Sequence, residues 1–187
     1  MPASRGRSDS GTSLVELIVY MMLSVLVLSI VVGIWTSGLS GVRLVRGLTD
    51  ATNSGQLAAE AIQLGVRNSS GFDVSTPSGQ DQILLMRVAS GGTQISWSCA
   101  AWYYSDAEKT IRTRTSTGRI APPTAAELAT WLVIATGIVP ADGARVFSRN
   151  GAQLDLDFTV SAGEPTPVII KSSAFSRTTT MEMAPCA

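Results

Sequence analysis

The chain has 187 residues, with 14 Lys and Arg balancing 14 Asp and Glu, no His and two Cys. That balance argues against electrostatic binding of bulk nucleic acid, which needs a clustered positive surface. The lack of His excludes His-based triads, His metal ligands and His proton shuttles, and the length suits one domain plus an anchor.

Residues 1–10 are short and polar, with Arg5 and Arg7 against Asp9. A basic segment ahead of the first apolar helix holds that end in the cytoplasm, so nearly everything after residue 35 is expected outside the membrane. The apolar run from Leu14 to Ile34 is long enough to span a bilayer, since about 20 residues at about 1.5 Å rise cover the hydrocarbon core. Glu16 sits just inside its N-terminal end, where a carboxylate in lipid costs several kcal/mol. It either stays wet at the headgroup level or takes a partner from outside the chain. Gly11 stands before the apolar segment, whereas an ordinary secretory signal is cut after it.

Gly11-Thr12-Ser13-Leu14-Val15-Glu16 leading into a long apolar helix resembles the prepilin signal of type IV pilins and type II secretion pseudopilins. The resemblance implies cleavage by prepilin peptidase between Gly11 and Thr12. Thr12, standing where the family usually has Phe, would become the mature first residue and the candidate for N-terminal methylation. Cleavage would remove Arg5, Arg7 and Asp9, leaving one acid in excess. It also implies a partner for Glu16: the N-terminal amine of a neighbouring subunit. Opposite charges about 4 Å apart in a poorly solvated helix core attract far more than in water, and a misregistered neighbour would leave the acid unpaired. The implied partners are the peptidase, sibling pilin or pseudopilin subunits, and membrane lipid before assembly. No cofactor, metal or nucleic acid is implied. The implied location is the cytoplasmic membrane, single-pass with the N-terminus inside, and later a pilus or pseudopilus.

The expected layout is a leader over 1–11, the transmembrane half of a helix over 12–35, its amphipathic half over 36–68, and an extracytoplasmic β-rich head over 69–187. Gly33, Gly38 and Gly41 are poor helix formers, so a bend or local melting is allowed there. Small residues also let helices pack closely in membranes. Beyond them Val42, Val45, Leu48 and Ala51 keep a helical spacing. Leu57, Ala58, Ala61, Ile62 and Val66 resume the apolar stripe after polar Thr52-Asn53-Ser54-Gly55. Asn68-Ser69-Ser70-Gly71 ends the helix. The fold class is therefore α+β: one long helix packed on an antiparallel sheet with one short helix, a pilin-like plan.

In the head, Phe72 to Gln82 reads as a loop by its Ser, Thr, Pro, Gly and Asp content. Ile83–Val88 is a first strand, Gly91-Gly92 a turn, and Gln94–Tyr104 a second strand with Ile95, Trp97 and Cys99 on one face. Thr110–Thr115 places Arg112 and Arg114 together, a solvated face in preference to an anion site. Pro122-Pro123-Thr124 with Glu127 opens a capping-box helix over 124–135 carrying Leu128, Trp131, Leu132 and Ile134. Leu154–Val160 alternates, with Asp155, Asp157 and Thr159 outward. Those acids lack the compact ligand loop calcium takes. Val168–Lys171 and Ala174–Arg177 form a last strand. This set of elements is similar to the heads of J-type minor pseudopilins and W-type minor pilins.

Cys99 and Cys186 fall in the part assigned outside the cytoplasm, where disulfides persist. Two free or separately buried thiols are the alternative. A bridge is preferred because Pro185-Cys186-Ala187 makes little sense as a free tail, and it would be worth about 4–5 kcal/mol.

No nucleophile motif or phosphate-binding Gly loop occurs, and Ser13 and Ser24 have no identifiable base, so an enzyme is not expected. The leading function is a structural subunit, a minor pilin or pseudopilin. The alternatives are a pilus-associated subunit whose Trp97, Trp102, Tyr103 and Tyr104 stack on DNA bases or meet a surface ligand, and an unrelated signal-anchored exoprotein.

Overall fold

The computed structural model describes residues 13–90, 96–141, 143, 145–161, 167–178, 183 and 186. Gly11, Thr12, the leader arginines, Gly91-Gly92, Gln94 and Ile95 lie outside them. Two compact units divide between Arg43 and Leu44.

The helix α1 (Leu14–Arg67) has 54 residues and no break at Gly33–Gly41. Among its residues up to Arg43, none is buried. This part contains the one helical stretch, among the described residues, long and apolar enough to cross a membrane. Two of its serine hydroxyls are satisfied within the helix: Ser24 Oγ donates to the Tyr20 carbonyl and Ser29 Oγ to the Val25 carbonyl, both at 2.8 Å. Back-bonding of this kind lets Ser sit in an apolar helix without an external partner.

In the second unit, α1 from Leu44 onward lies on nine antiparallel strands. One sheet runs in the order β1 (Ser69–Ser75), β2 (Gln82–Ser90), β3 (Ser96–Ser105), β4 (Thr110–Ser116), β5 (Leu132–Thr136). The other centres on β8 (Gln153–Val160), paired with β6 (Ile138–Pro140) and β7 (Phe147–Asn150) on one side and β9 (Val168–Phe175) on the other. A one-turn helix α2 (Ala125–Leu128) precedes β5.

The main core joins Ala58, Ile62 and Val66 of α1 to Leu84, Met86, Trp102 and Tyr104 of the first sheet and Leu154, Leu156 and Phe158 of the second. Full burial of each large side chain contributes about 1.5–3 kcal/mol. β3 is buried on both faces, which suits its nearly unbroken apolar run. Its even residues Ala100, Trp102 and Tyr104 face the helix. Its odd residues Cys99, Ala101 and Tyr103 join Ile83, Ile120, Leu128, Trp131 and Cys186 in a second cluster on the outer face.

The polar interval at Thr52–Gly55 does not interrupt α1, and Gly55 is buried. A Cβ added there would lie 2.8 Å from Val160 Cγ2, and one at Gly65 2.7 Å from Met86 Sδ and 2.9 Å from a Trp102 ring carbon. At both glycines a side chain of a sheet packs close against the helix backbone, from the second sheet at Gly55 and from the first at Gly65.

Several elements differ from the sequence expectation. Part of the expected loop over 72–82 is β1, which starts directly after Asn68, the one residue between it and α1, and pairs with β2. Its polar residues are bonded instead of solvated: Ser69 Oγ donates to the Val66 carbonyl at 2.7 Å, and Ser176 Oγ to the Ser69 carbonyl at 3.1 Å. The helix expected over 124–135 stops at Leu128, although its capping box forms. Arg112 takes the Leu128 and Trp131 carbonyls at 3.3 and 3.4 Å, and Leu132–Thr136 pairs with β4. The β-branched run Val133-Ile134 fits a pleated surface, so pairing overrides local helix signals. The short strands β6 and β7, three and four residues long, carry no clear alternation of their own.

Candidate functional site

The first turn of α1 is built by Ser13, whose carbonyl accepts from the Leu17 N–H at 3.2 Å while its Oγ accepts from the Glu16 N–H at 3.3 Å. This is the donor-satisfying half of a capping box. The Glu16 carboxylate does not return to the cap. It accepts from Tyr20 Oη at 3.1 Å, one turn along. A hydrogen bond to a charged acceptor partly offsets the cost of holding that acid at the edge of an apolar helix. Tyr20 was missed by the sequence reading, which looked for a basic partner on the helix; the i, i+4 spacing is the signal that finds it.

From this turn to Ile34 the side chains are exposed and mostly apolar, with Leu14 75%, Met22 72% and Ile34 70% exposed. An exposed apolar surface of this length needs lipid or other protein around it.

On the second unit, Cys99 and Cys186 form a disulfide with Cα atoms 5.4 Å apart. It ties Cys186 to the outer-face cluster beside Trp131 and Ile120. The four aromatics considered for stacking separate clearly. Trp102, Tyr103 and Tyr104 are buried, whereas Trp97 is 41% exposed with the Arg87 guanidinium 4.4 Å from its ring centroid. Tyr103 Oη donates to Asp81 Oδ2 at 2.8 Å and Tyr104 Oη to Asp106 Oδ1 at 3.0 Å. Burial, and then these carboxylates, push both phenols well above the ordinary tyrosine range. Lys109, followed by the Tyr104 hydroxyl, holds the Asp106 carboxyl below its usual range. Asp81 Oδ1 also accepts the Asp106 N–H at 2.8 Å, so this network braces the β3–β4 turn.

Arg112 and Arg114 share a strand face and have different tasks. Arg112 is ion-paired to Glu108 at 2.8 Å and bonded to the α2–β5 turn. Arg114 points into a cleft with Arg119, Ile120 and Trp131. Asp155 accepts from Gln153 Nε2 at 2.5 Å, and Asp157 pairs with its cross-strand neighbour Lys171 at 3.0 Å. Among the described residues no three acids or cysteines converge as a metal site.

No protein-family model, no characterised protein and no solved structure matches the chain. Any assignment therefore rests on the residues themselves.

Proposed function

We propose that this chain is a filament subunit of the type IV pilin and type II secretion pseudopilin kind, a minor pilin or pseudopilin. It waits in the cytoplasmic membrane with its N-terminus inside, is trimmed after Gly11 by prepilin peptidase, and then joins or primes a filament of sibling subunits. The observation that carries the reading is α1 itself. Its first part is apolar, unburied and begins with a capped turn holding Glu16, while its second part is docked into a disulfide-closed β head.

Before assembly, Tyr20 holds the Glu16 carboxylate. On assembly the freed amine of a neighbour's Thr12 replaces or joins that hydroxyl, and a misplaced neighbour leaves the acid without its counter-charge. The chemistry in this scheme is done to the protein, not by it. The burial of Trp102, Tyr103 and Tyr104 removes most of the stacking surface that a DNA-binding head would use.

N-terminal sequencing of protein recovered from membranes tests the reading. A start at Thr12 is expected; a start at Met1 or beyond Ser37 overturns it. Glu16→Ala is expected to cut filament incorporation at least about tenfold, equivalent to about 1.4 kcal/mol. Assembly at wild-type efficiency would remove Glu16 from its assigned role.

A further inference from the structure

The outer face of the first sheet carries a cleft of about 230 Å³ between the end of β4 and the turn leading to α2. Arg114 and Arg119 line it, with Ile120, Pro122 and Trp131 as its apolar walls and Glu127 at its side. Neither arginine makes a hydrogen bond or ion pair among the described residues. Their neighbours explain why. Arg112, two residues before Arg114, takes Glu108. Glu127, the acid among the cleft's lining residues, spends one oxygen on the Thr124 N–H and hydroxyl, both at 2.9 Å. Arg114 feels the Glu127 charge only at longer range. Trp131, which lines the cleft, is 4% exposed, and its indole Nε1 is buried without an acceptor among the described residues. A buried donor left unpaired costs roughly 1–3 kcal/mol.

We infer that this cleft is a carboxylate-binding site, with Arg114 and Arg119 as the charged donors and the Trp131 indole N–H as a third donor reached by a small opening of the wall. Guanidinium forks match the two oxygens of a carboxylate. The cleft is below the roughly 300–1,000 Å³ of pockets that hold drug-sized ligands, so it suits one acidic group and a few carbons, not a nucleotide. The Glu127 carboxylate at its side offsets one of the two guanidinium charges, so the lining carries a net charge near that which a single carboxylate monoanion neutralises. The carboxylate comes either from a free small acid or from an acidic side chain or chain terminus of a neighbouring protein. The site stands apart from the filament reading and does not depend on it.

The full chain in detergent micelles, with nitrogen-15 in its four tryptophans, provides the test. The Trp131 indole signal is assigned by its loss in Trp131→Phe, and the chain is titrated with acetate, a short blocked peptide bearing one glutamate, its glutamine counterpart, and inorganic phosphate. A saturable shift of the Trp131 signal is expected with the carboxylates and not with the glutamine peptide. Affinity should fall by about tenfold or more in the Arg114→Gln, Arg119→Gln double variant. Because both arginines are exposed, that variant should keep the other three indole signals in place. Equal binding of acetate and peptide supports a free acid as ligand, and tighter binding of the peptide supports a carboxylate presented by a protein. The inference is overturned by no saturable shift with either carboxylate, by an unchanged affinity in the double variant, or by phosphate binding more tightly than both.

Discussion

The glycines of α1 divide it more sharply than its hydropathy does. Gly33, Gly38 and Gly41 have open space where a Cβ would go, while Gly55 and Gly65 would push a Cβ to under 3 Å from Val160, Met86 and Trp102. The same residue therefore has two meanings in one helix. In the first part its small size leaves open space among the described residues. In the second part its small size is already spent on the chain's own sheets. Sequence alone treats both as weak helix positions, and only the neighbours separate them.

The largest expected effect is confined to the second unit. Replacing Cys186 with Ser opens a closed loop with a sequence separation of 87 residues, and should lower head stability by about 4–5 kcal/mol by chain entropy. Thermal melting followed by near-ultraviolet circular dichroism measures it. The helical signal of the part before Arg43, held in a micelle, should remain after the head has melted. Loss of both signals in one transition would mean that the two units do not behave separately.

Next come the glycines themselves. Gly65→Ala and Gly55→Ala should each destabilise the head, because overpacking costs about 1–3 kcal/mol against a helix-propensity gain of about 1 kcal/mol. Gly55→Ala should be the worse of the two. It meets a stiff β-branched valine, whereas Gly65 meets a flexible methionine as well as the tryptophan ring. Gly38→Ala should leave the head's melting temperature unchanged. If the filament reading is right, its effect appears in assembly, since small residues let helices approach closely. Equal melting shifts at Gly38 and Gly65 would erase the distinction.

The same contrast explains what could be read in advance. Strand β8 was legible because Leu154, Leu156, Phe158 and Val160 alternate strictly with polar residues and all four are buried, so one face alone decides the pattern. The helix was legible over its full length for a similar reason. β1 was not, because Ser69 and Ser70 are buried through hydrogen bonds to residues over 100 positions away as well as to the neighbouring helix. β5 was not, because an arginine on another strand ends α2 and a neighbouring strand claims Leu132–Thr136. Of the candidate site, Glu16 and the cysteine pair were visible from residue type and placement. Tyr20 needed the helix to be in place first. The division of labour between Arg112 and Arg114 needed Glu108, four residues from Arg112, to choose one of them.

Adjacent tyrosines in β3 give the smallest and most specific effect. Tyr103 and Tyr104 face opposite clusters, and each donates its hydroxyl to a carboxylate. Both phenols titrate higher in the folded head than in an unfolded chain, first because burial disfavours phenolate and then because Asp81 and Asp106 would repel it. A folded pKa raised above the unfolded value of about 10 stabilises the head fully below that pH, and the contribution drains as pH rises through it. Alkaline titration should thus destabilise the head with a slope of at most about 1.4 kcal/mol per pH unit for each phenol. Tyr103→Phe and Tyr104→Phe should each flatten that slope, at the cost of one hydrogen bond at neutral pH. The apolar part of α1 contributes no buried phenol, so its helicity in a micelle should hold through the same range. An alkaline slope identical in the wild-type chain and both variants would place the titrating groups elsewhere and leave the β3 network without its assigned cost.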